Sequence, residues 1–304
     1  MTILLTGGAG FIGSHIVDRL VELGHKTIII DNLSSGKRKN INKEACTYFQ
    51  DINDGLMEIF KEQEIDYVIH LAAQTSVINS VKNPYNDAKA NVLGTINLLE
   101  CCRKHGVKKI VFASTGGAIY GNPQYLPMDE NHPINPLSPY GLNKYVAERY
   151  LELYKEFYGI DYVALRYSNV YGPRQDPYGE AGVVAIFIDK LMNNEKPSIF
   201  GTGGQTRDFI YVSDVVDANI IALEKGSGAY NIGTGIPTSV NEIFKLLQKV
   251  TKNHNIKPIY AEERTGEVKH CYLNCKKAEK ELDWEPKVSL EEGLKIMVED
   301  LKND

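Results

Sequence analysis

Short apolar runs alternate with longer segments of helical period over the first half of the chain. The runs are rich in Ile, Leu, Val and aromatic residues and span residues 3–6, 27–30, 67–71, 110–113 and 162–165. Such nearly continuous runs are typical of strands buried on both faces of a parallel sheet. Apolar residues recur at helical spacing between them, in 12–23, 88–105 and 139–158. The alternation predicts an α/β fold with a doubly wound parallel sheet of the Rossmann type.

The pattern changes after Asn169. A turn-rich segment, Tyr171-Gly172-Pro173-Arg174, follows, and the later elements are shorter and more mixed. The tail 276–301 reads as two short helices separated by Trp284-Glu285-Pro286. We therefore expect a smaller C-terminal α/β substrate lobe. The predicted Rossmann domain comprises 1–168, with about 206–224 returning to the sheet, and the predicted substrate lobe comprises 169–205 and 225–304.

Composition narrows the class of protein. The chain has 304 residues, of which 43% are hydrophobic and 24% charged, as in ordinary globular proteins. A net charge of −5 argues against nucleic acid as a partner. No stretch approaches the roughly 20 apolar residues of a membrane span, and the apolar start at 2–5 is too short for a signal peptide. We expect a cytoplasmic protein with no membrane partner.

The cysteines do not indicate a metal site or a disulfide framework. Their number is odd, and their spacing matches neither pattern: Cys46, Cys101, Cys102, Cys271 and Cys275. The prediction is no metal.

A glycine-rich turn follows the first predicted strand and opens the first predicted helix. Gly7, Gly10 and Gly13 have the spacing G-x-x-G-x-x-G. Glycines let such a turn tighten and let backbone N–H groups approach a pyrophosphate at the helix N-terminus. A plain tight turn would also use glycines, but the position between strand and helix favours a dinucleotide site.

The second predicted strand ends at Asp31, where an acid accepts hydrogen bonds from ribose hydroxyls and repels a 2′-phosphate. This favours NAD over NADP, although Lys37 and Arg38 lie nearby. Asp51-Ile52, after the third strand, would suit the adenine edge, and a strand-end turn is the alternative for that pair.

Tyr140-Gly141-Leu142-Asn143-Lys144 places a tyrosine and a lysine at i and i+4, on one face of a helix. For a tyrosine to act as a base near neutrality, its pKa must fall by about three from its usual value. A lysine ammonium one turn away and a cationic nicotinamide would stabilise the phenolate. An exposed helix pair is the common alternative, but here a strand ending in Ser114-Thr115 precedes the motif.

Together these motifs resemble the extended short-chain dehydrogenase/reductases, and within them the UDP-glucose 4-epimerase family. The resemblance runs nearly end to end. It includes Asp31-Asn32-Leu33, His70-Leu71-Ala72-Ala73, Asn91-Val92-Leu93-Gly94-Thr95, Ser114-Thr115-Gly116-Gly117-Ala118-Ile119-Tyr120-Gly121, Arg166-Tyr167-Ser168-Asn169-Val170-Tyr171-Gly172-Pro173, Gln205-Thr206-Arg207-Asp208-Phe209, Arg264-Thr265-Gly266-Glu267 and Leu282-Asp283-Trp284.

The resemblance implies roles in an NAD-dependent inversion of carbon 4 of a UDP-hexose through a 4-keto intermediate. Tyr140 would take the proton of the sugar 4-hydroxyl, and Lys144 would hold the nicotinamide ribose and lower the tyrosine pKa. Thr115 would hydrogen-bond the 4-oxygen, with Ser114 beside it, and Asn91 would support the active-site helix. The implied cofactor-binding residues are Gly7, Gly10, Phe11, Ile12, Gly13, Asp31, Asn32, Asp51, Ile52, Leu71, Ala72, Ala73, Asn91, Tyr140, Lys144 and Tyr167.

The second lobe would hold the UDP group. Arg207 and Arg264 resemble the family's diphosphate ligands, because guanidinium groups suit phosphate oxygens. Asn169 would bind a phosphate or sugar oxygen, and Glu267 a ribose hydroxyl. Phe200 and the stretch 183–187, starting at Val183, would flank the uracil.

Cys271 lies where family members differ between a bulky tyrosine and a small residue. A small side chain would leave room for a 2-acetamido group, so UDP-N-acetylglucosamine is a possible second substrate. The alternative is a packed cysteine that says nothing about substrate range.

Three other functions are weighed. A nucleotide-sugar 4,6-dehydratase would need an acid pair where this chain has Gly116-Gly117. A UDP-glucuronate epimerase or decarboxylase is harder to exclude, because the sequence does not show how carbon 6 is read. A non-catalytic NAD-sensing module is disfavoured by the intact Tyr140, Lys144 and Thr115. The resemblance also implies a homodimer, formed through the helices at 88–105 and 139–158 as a four-helix bundle.

Overall fold

Strands and helices alternate along the chain, as the apolar pattern predicts. The computed structural model describes residues 1–178, 182–263 and 268–303. Over these ranges no helix is both long enough and apolar enough to cross a membrane. The strands are β1 (Thr2–Thr6), β2 (Lys26–Ile30), β3 (Cys46–Tyr48), β4 (Tyr67–His70), β5 (Lys109–Thr115), β6 (Asp161–Tyr167), β7 (Asn169–Tyr171), β8 (Ser198–Phe200), β9 (Thr206–Tyr211), β10 (Gly228–Ile232), β11 (Pro237–Ser239), β12 (Ile259–Ala261) and β13 (His270–Cys271).

The helices follow the same order, and two short turns of other geometry accompany them. A 3₁₀ turn spans Arg38–Asn40, and a π-helical turn spans Lys89–Leu93. The α-helices are α1 (Phe11–Glu22), α2 (Met57–Gln63), α3 (Val77–Lys82), α4 (Pro84–Ala88), α5 (Gly94–His105), α6 (Pro139–Tyr158), α7 (Val183–Met192), α8 (Val212–Glu224), α9 (Val240–Thr251), α10 (Lys276–Leu282) and α11 (Leu290–Asn303).

The large sheet has seven strands in the order β10-β6-β5-β4-β1-β2-β3, and all its pairs are parallel. The chain runs from β1 outward to β3 and then crosses back to β4 and β5. The strand order therefore reverses between β1 and β4, which is the switch point where ligands bind in doubly wound sheets. The predicted fold class is confirmed.

Alternating side chains build one core on each face of this sheet. Ile3 and Leu5 of β1 pack on one face, with α1, α8 and α10, whereas Leu4 packs on the other, with α2, α5 and α6. All three side chains are fully buried. A strand that buries both faces needs apolar residues at nearly every position, which explains the continuous runs in the sequence.

The second lobe has its own small sheets and its own core. Strands β11, β9 and β13 form a path, with β7 also paired to β9, and β8 pairs with β12. Helices α7, α9 and α11 contribute buried side chains to the core beneath them. Strand β9 is connected to the large sheet through its pairing with β7, which directly follows β6.

The strand assignment differs from the predicted division of the chain in two places. Helix α8 packs on the core of the large sheet, as expected for 206–224, but β9 pairs within the small sheet. Strand β10, expected in the substrate lobe, is the edge strand of the large sheet beside β6. Its buried Tyr230 and Ile232 extend that core. A five-residue strand far from its partner in sequence has no local signal that assigns it to one sheet.

His70, at the carboxyl end of β4, joins three elements through its ring. The Thr95 hydroxyl donates to the Asn91 carbonyl (2.8 Å), so its oxygen accepts from His70 Nε2 (3.0 Å). His70 Nδ1 then accepts from the Thr6 hydroxyl at the end of β1 (2.7 Å). The network assigns this neutral tautomer. Burial, helped by the Lys144 charge, lowers the pKa of His70 to about 3.

We expect His70 to make the folded chain sensitive to acid. In the unfolded chain this group takes up a proton below pH 6.5, but in the folded chain only near pH 3. Between about pH 7 and about pH 5 this difference alone lowers the free energy of unfolding by about 2 kcal/mol. Urea unfolding at both pH values should show a smaller loss for His70→Asn than for the wild type. Equal losses in the two proteins would contradict this account.

Candidate active site

The glycine-rich turn lies between β1 and α1, at the switch point of the large sheet. Gly7 has a φ of +77°, and a Cβ there would lie 2.8 Å from the Ala72 nitrogen. A Cβ on Gly13 would lie 2.2 Å from the Gly7 carbonyl oxygen. Gly10 is the N-cap of α1 and has no side chain to cover the helix N-terminus. The turn therefore leaves backbone N–H groups open to a pyrophosphate, and it fits a dinucleotide.

Asp31 follows β2 and lies beside the glycine turn. Its buried carboxylate accepts a hydrogen bond from the Ala9 nitrogen (2.9 Å). Asn32 Nδ2 donates to Asp51 Oδ2 (2.7 Å), which joins the ends of β2 and β3. Burial opposes ionisation of Asp51, but hydrogen bonds from Asn53 and Asn32 outweigh it and lower its pKa. The structure thus brings the predicted ribose and adenine residues together.

The basic residues next to this site have partners on the protein. Lys37 forms an ion pair with Asp176 (3.0 Å), and the Arg38 guanidinium lies 4.3 Å from the centre of the Phe49 ring. Because these cations are engaged, Asp31 determines the local preference for a ribose hydroxyl. This supports NAD over NADP.

Two further groups of predicted cofactor residues line the same edge of the sheet. Leu71, Ala72 and Ala73 follow β4 and are partly exposed there. The Ala72 nitrogen donates to the Thr6 carbonyl and hydroxyl oxygens, which fixes this segment against β1. Phe11 and Ile12 begin α1 and are partly exposed, packed against two different cores.

Ile52 and Tyr167 point into the protein instead. The Ile52 side chain is buried in the core under α2 and α5. The Tyr167 hydroxyl hydrogen-bonds Asn219 in α8, and burial raises its pKa. Their side chains therefore pack into the protein, and the predicted contact of these two residues with a cofactor stays a prediction.

Asn91 sits in the π-helical turn rather than in a regular helix. Its amide makes paired hydrogen bonds with the backbone of Gln74 (both 2.9 Å) and donates to Asp87 Oδ1 (3.2 Å). The other oxygen of Asp87 accepts from Asn143 Nδ2 of α6 (2.6 Å). Asn91 thus contacts the helix α6 indirectly, through Asp87 and Asn143. Asn143 is the residue next to Lys144.

Tyr140 and Lys144 occupy the first turns of α6. Ser138 caps this helix by accepting from the Gly141 nitrogen, 3.2 Å away. Lys144 is buried, and its Nζ donates to the carbonyl oxygen of Ala113 in β5 (2.8 Å). These contacts fix the predicted pair at the carboxyl edge of the sheet.

Thr115 ends β5, and its side chain lies near the Tyr140 hydroxyl. Burial and the nearby Asp87 raise the pKa of Tyr140, and the Thr115 hydroxyl acts in the opposite direction. Burial lowers the pKa of Lys144 to about 8, against the opposing charges of Asp87 and Glu148. Burial and Asp87 therefore oppose the phenolate, and the effect of Lys144 on the tyrosine pKa stays a prediction.

Ser114 does not join this group, which corrects its predicted place beside the substrate. Successive strand residues point to opposite faces, so Ser114 and Thr115 diverge. The buried Ser114 hydroxyl donates to Glu148 Oε1 (2.5 Å). Glu148 in turn accepts from Arg166 Nε (3.1 Å) and Nη2 (2.6 Å). Ser114 therefore belongs to a buried ion-pair network behind the site.

Sequence reasoning missed Asp87 and Glu148. Glu148 follows Lys144 by four residues, as Lys144 follows Tyr140, so the helical spacing carried a signal for it. Asp87 is brought to the site only by the packing of α4 on α6, and nothing in its local sequence marks it.

Arg207 and Cys271 face each other across β9 and β13 of the substrate lobe. Arg207 Nη1 donates to the carbonyl oxygens of Thr206 (2.9 Å) and Lys269 (3.4 Å). Cys271 is buried, and burial raises its pKa to about 11. The pairing places the predicted diphosphate ligand beside the residue predicted to control substrate range.

The other predicted substrate residues are spread over this lobe. Asn169 begins β7, and Val183 begins α7. Phe200 ends β8 and lines a cavity of about 260 Å³, together with Gln205 and His270. The predictions for Arg264 and Glu267 concern positions outside the described residues.

Gly116 and Gly117 follow Thr115 at the edge of the site. A Cβ on Gly117 would lie 3.9 Å from Thr115 Oγ1, so this position is next to the reacting groups. A Cβ on Gly116 would meet the Leu273 side chain at 2.6 Å. Neither position supplies an acid, so the elimination chemistry of a dehydratase has no group here to carry it.

These features define a Rossmann-fold enzyme class in which a tyrosine–lysine pair lies beside a dinucleotide site. Residues 3–233 match the family described as the NAD dependent epimerase/dehydratase family. The chain belongs to this family.

Individual relatives extend the match to full length. A putative UDP-glucose 4-epimerase of Methanocaldococcus jannaschii is 56% identical over 99% of this chain and 99% of its own. The crystal structure of the Thermotoga maritima UDP-glucose 4-epimerase with UDP-glucose is 53% identical, with a TM-score of 0.98 over 100% of this chain and 99% of that one. The UDP-N-acetylglucosamine 4-epimerase of Methanobrevibacter ruminantium M1, in complex with UDP-N-acetylmuramic acid, is 38% identical, with a TM-score of 0.94 over 99% of this chain and 98% of that one.

Proposed function

We propose that this chain is an NAD-dependent epimerase that inverts carbon 4 of a UDP-hexose and interconverts UDP-glucose and UDP-galactose. The observation that carries the proposal is the meeting of Thr115, which ends β5, with Tyr140 and Lys144 of α6, whose lysine is fixed on the Ala113 carbonyl oxygen of β5. Full-length likeness to enzymes named for this reaction supports it.

The residues that would hold NAD lie around the glycine-rich turn between β1 and α1. The turn at Gly7, Gly10 and Gly13 would take the pyrophosphate, and Asp31 the adenosine ribose. Lys144 would reach the nicotinamide ribose. NAD, when bound, supplies a reversible hydride acceptor and a positive charge near the phenol.

The chain's own groups would move the proton and hold the oxygen. Tyr140 accepts the proton of the sugar 4-hydroxyl as the carbon–hydrogen bond at C4 breaks, and it returns that proton when the bond re-forms on the opposite face. Thr115 holds the 4-oxygen in both directions. Tyr140 sits in the first turn of α6, where the helix dipole favours the phenolate, and a protonated Lys144 acts in the same sense.

The substrate lobe would bind the UDP group and leave the sugar free to turn over. Arg207, with Arg264, would bind the diphosphate, and Asn169 an adjoining phosphate or sugar oxygen. Phe200 would stack beside the uracil in its cavity, near Val183, with Glu267 on the ribose. Binding through the nucleotide leaves the keto sugar able to present either face to the same site.

Incubation of the purified protein with UDP-glucose, without added cofactor, tests the proposal. Products are separated by ion-pair chromatography, and bound NAD is assayed after denaturation. Galacto-configured product together with bound NAD is the expected result. UDP-glucuronate and UDP-N-acetylglucosamine are incubated in parallel. Product formed only from UDP-glucuronate would show that the substrate is a UDP-uronate and not a UDP-hexose. Bound NAD without product from any UDP-sugar would favour a sensing module.

We further propose that Cys271 admits a 2-acetamido group, so that UDP-N-acetylglucosamine is also epimerised. The side chain is small and lies opposite Arg207 in the substrate lobe, and the Methanobrevibacter relative is named for that sugar. Cys271→Tyr should lower kcat/KM for UDP-N-acetylglucosamine at least about tenfold more than for UDP-glucose. Cys271→Ser is the matched control and should keep both activities. An equal loss for the two sugars in the tyrosine variant contradicts this role.

We also propose a homodimer formed through α5 and α6. Large apolar side chains are exposed on α6 and its neighbours, among them Leu142, Leu153 and Phe157 on one stripe of α6 and Val81 and Tyr85 beside it. Large apolar side chains exposed together on one helix face are typical of interaction sites in proteins.

Light scattering after gel filtration tests the dimer. The wild type should run as a dimer, and Leu153→Glu combined with Phe157→Glu should run as a monomer. Ile236→Glu, off these helices at a position about as exposed as Phe157, should leave the dimer intact. A monomeric wild type contradicts the proposal.

A further inference from the structure

Asp87 is a buried carboxylate that the proposed mechanism does not use. It lies in the last turn of α4 and is 1% exposed. Its three hydrogen-bond donors named in the structure are neutral amides: Gln74 Nε2 (2.5 Å), Asn91 Nδ2 (3.2 Å) and Asn143 Nδ2 (2.6 Å). Burying a carboxylate costs free energy unless it is hydrogen-bonded and balanced by a positive charge.

The three donors belong to three different parts of the site. Gln74 directly follows the cofactor segment Leu71-Ala72-Ala73, and Asn91 belongs to the π-helical turn. Asn143 lies between Tyr140 and Lys144 on α6. One carboxylate therefore connects the loop at the cofactor edge to the helix that carries the acid/base.

Charge gives Asp87 a second role. The acidic groups that act on Lys144 are Asp87 from α4 and Glu148 from α6 itself, and on the strand side Lys144 faces the neutral His70 of β4. Glu148 is already paired with Arg166 through two hydrogen bonds. The hydrogen bonds to Asp87 come from neutral amides. Its negative charge is therefore available to balance a nearby cation.

We propose that Asp87 is a positioning residue that fixes the catalytic helix against the cofactor loop and supplies the counter-charge for the Lys144 ammonium. This inference deepens the proposed function and rests on it. The same charge opposes formation of the Tyr140 phenolate. Asp87 thus keeps the lysine protonated and makes the phenolate depend on a positive charge brought to the site.

The pH dependence of kcat tests this role. Removing the charge with Asp87→Asn makes the phenolate easier to form and the ammonium easier to deprotonate. Both limbs of the kcat–pH profile should therefore move to lower pH, each by about one unit. Asp87→Glu keeps the charge and should keep both limbs in place even if kcat falls. Unmoved limbs in Asp87→Asn would overturn the proposal.

Two control variants separate the effect of the Asp87 charge from the effect of its hydrogen bonds to α6 and from general effects of a lost surface charge. Asn143→Ala removes a hydrogen bond but keeps the carboxylate, so kcat should fall without movement of the limbs. Asp283→Asn removes a charge from a side chain that is 91% exposed and should change neither. If Asp87→Asn does not fold, the pH profile of Asp87→Ser is measured instead, and the same shift is expected.

A readout that needs no turnover keeps the inference distinct from the proposed function. The Tyr140 phenolate is titrated in the NAD-bound protein by ultraviolet absorbance, as the difference between proteins with and without Tyr140→Phe. Its titration should move to lower pH in the Asp87→Asn background. A wild type that does not turn over any UDP-sugar contradicts the proposed function, whereas an unmoved phenol titration contradicts the role of Asp87.

Discussion

Replacing Tyr140 with phenylalanine is expected to lower kcat about a thousandfold, within the range of 10² to 10⁴ that general acid–base groups contribute. The variant keeps the ring and loses only the hydroxyl that lies near Thr115. Packing of α6 should therefore survive, and bound NAD should be retained. Chromatographic rates with UDP-glucose measure the loss, and NAD released on denaturation reports cofactor binding.

Tyr150→Phe is the matched control for this variant. Tyr150 lies on the same helix, and its side chain packs against the core under α2, α5 and α6, away from the site. Its kcat should stay within about twofold of wild type, since most substitutions outside a site leave the chemistry intact. A Tyr140→Phe enzyme that keeps more than about a tenth of the wild-type kcat would contradict the acid/base role.

Breaking the buried ion pair behind the site should have the largest effect on stability. Arg166→Met leaves the Glu148 carboxylate buried with only the Ser114 hydroxyl as a named partner. Removing one partner of a buried pair costs about 3–5 kcal/mol, because the remaining charge is uncompensated. Arg166 also donates to the Tyr120 hydroxyl (2.9 Å), so a second buried group loses its donor. Urea unfolding measures the change.

Combining Arg166→Met with Glu148→Leu separates the cost of an orphaned charge from the value of the pair. Replacing both partners of a buried pair by apolar residues is often neutral or stabilising. The double variant should therefore unfold at a higher urea concentration than Arg166→Met alone. A double variant less stable than the single one would show that the pair itself, and not the orphaned carboxylate, determines the loss.

The sequence predicts the parts of this protein whose signals are local. Strands buried on both faces require continuous apolar residues, so the runs at 3–6 and 27–30 mark β1 and β2. The glycine spacing predicts the glycine-rich turn of the dinucleotide site, because there is no room for a Cβ at Gly7 or Gly13. The helix of Tyr140 and Lys144 begins at Pro139 and ends at Tyr158, within the bounds that the period predicts.

The parts that the sequence does not predict depend on packing between distant segments. Strand β10 joins the large sheet only through its pairing with β6. Ser114 and Thr115 look equivalent in sequence, and only the alternation of the strand separates the network residue from the site residue. Asp87 reaches the site from α4 through a hydrogen bond to Asn143, 56 residues away in the chain.

Burial and charge explain why Tyr140 would act as a base only when NAD is bound beside it. Burial and Asp87 raise the pKa of Tyr140, while Lys144, with its pKa lowered to about 8, is an ammonium near neutrality. The protein groups alone therefore keep the phenol protonated. A cationic nicotinamide beside Tyr140 would favour the phenolate, so proton transfer and hydride transfer are expected to depend on each other.

The measurement that tests the central claim most directly follows the hydrogen at carbon 4. UDP-glucose carrying deuterium at C4 is incubated with the purified protein in ordinary water, and the UDP-galactose formed is analysed by mass spectrometry and NMR. Reversible hydride transfer within one site predicts that the deuterium stays on C4 of the product. Galacto-configured product that has lost the deuterium to water would contradict the account, because it would show inversion by proton exchange.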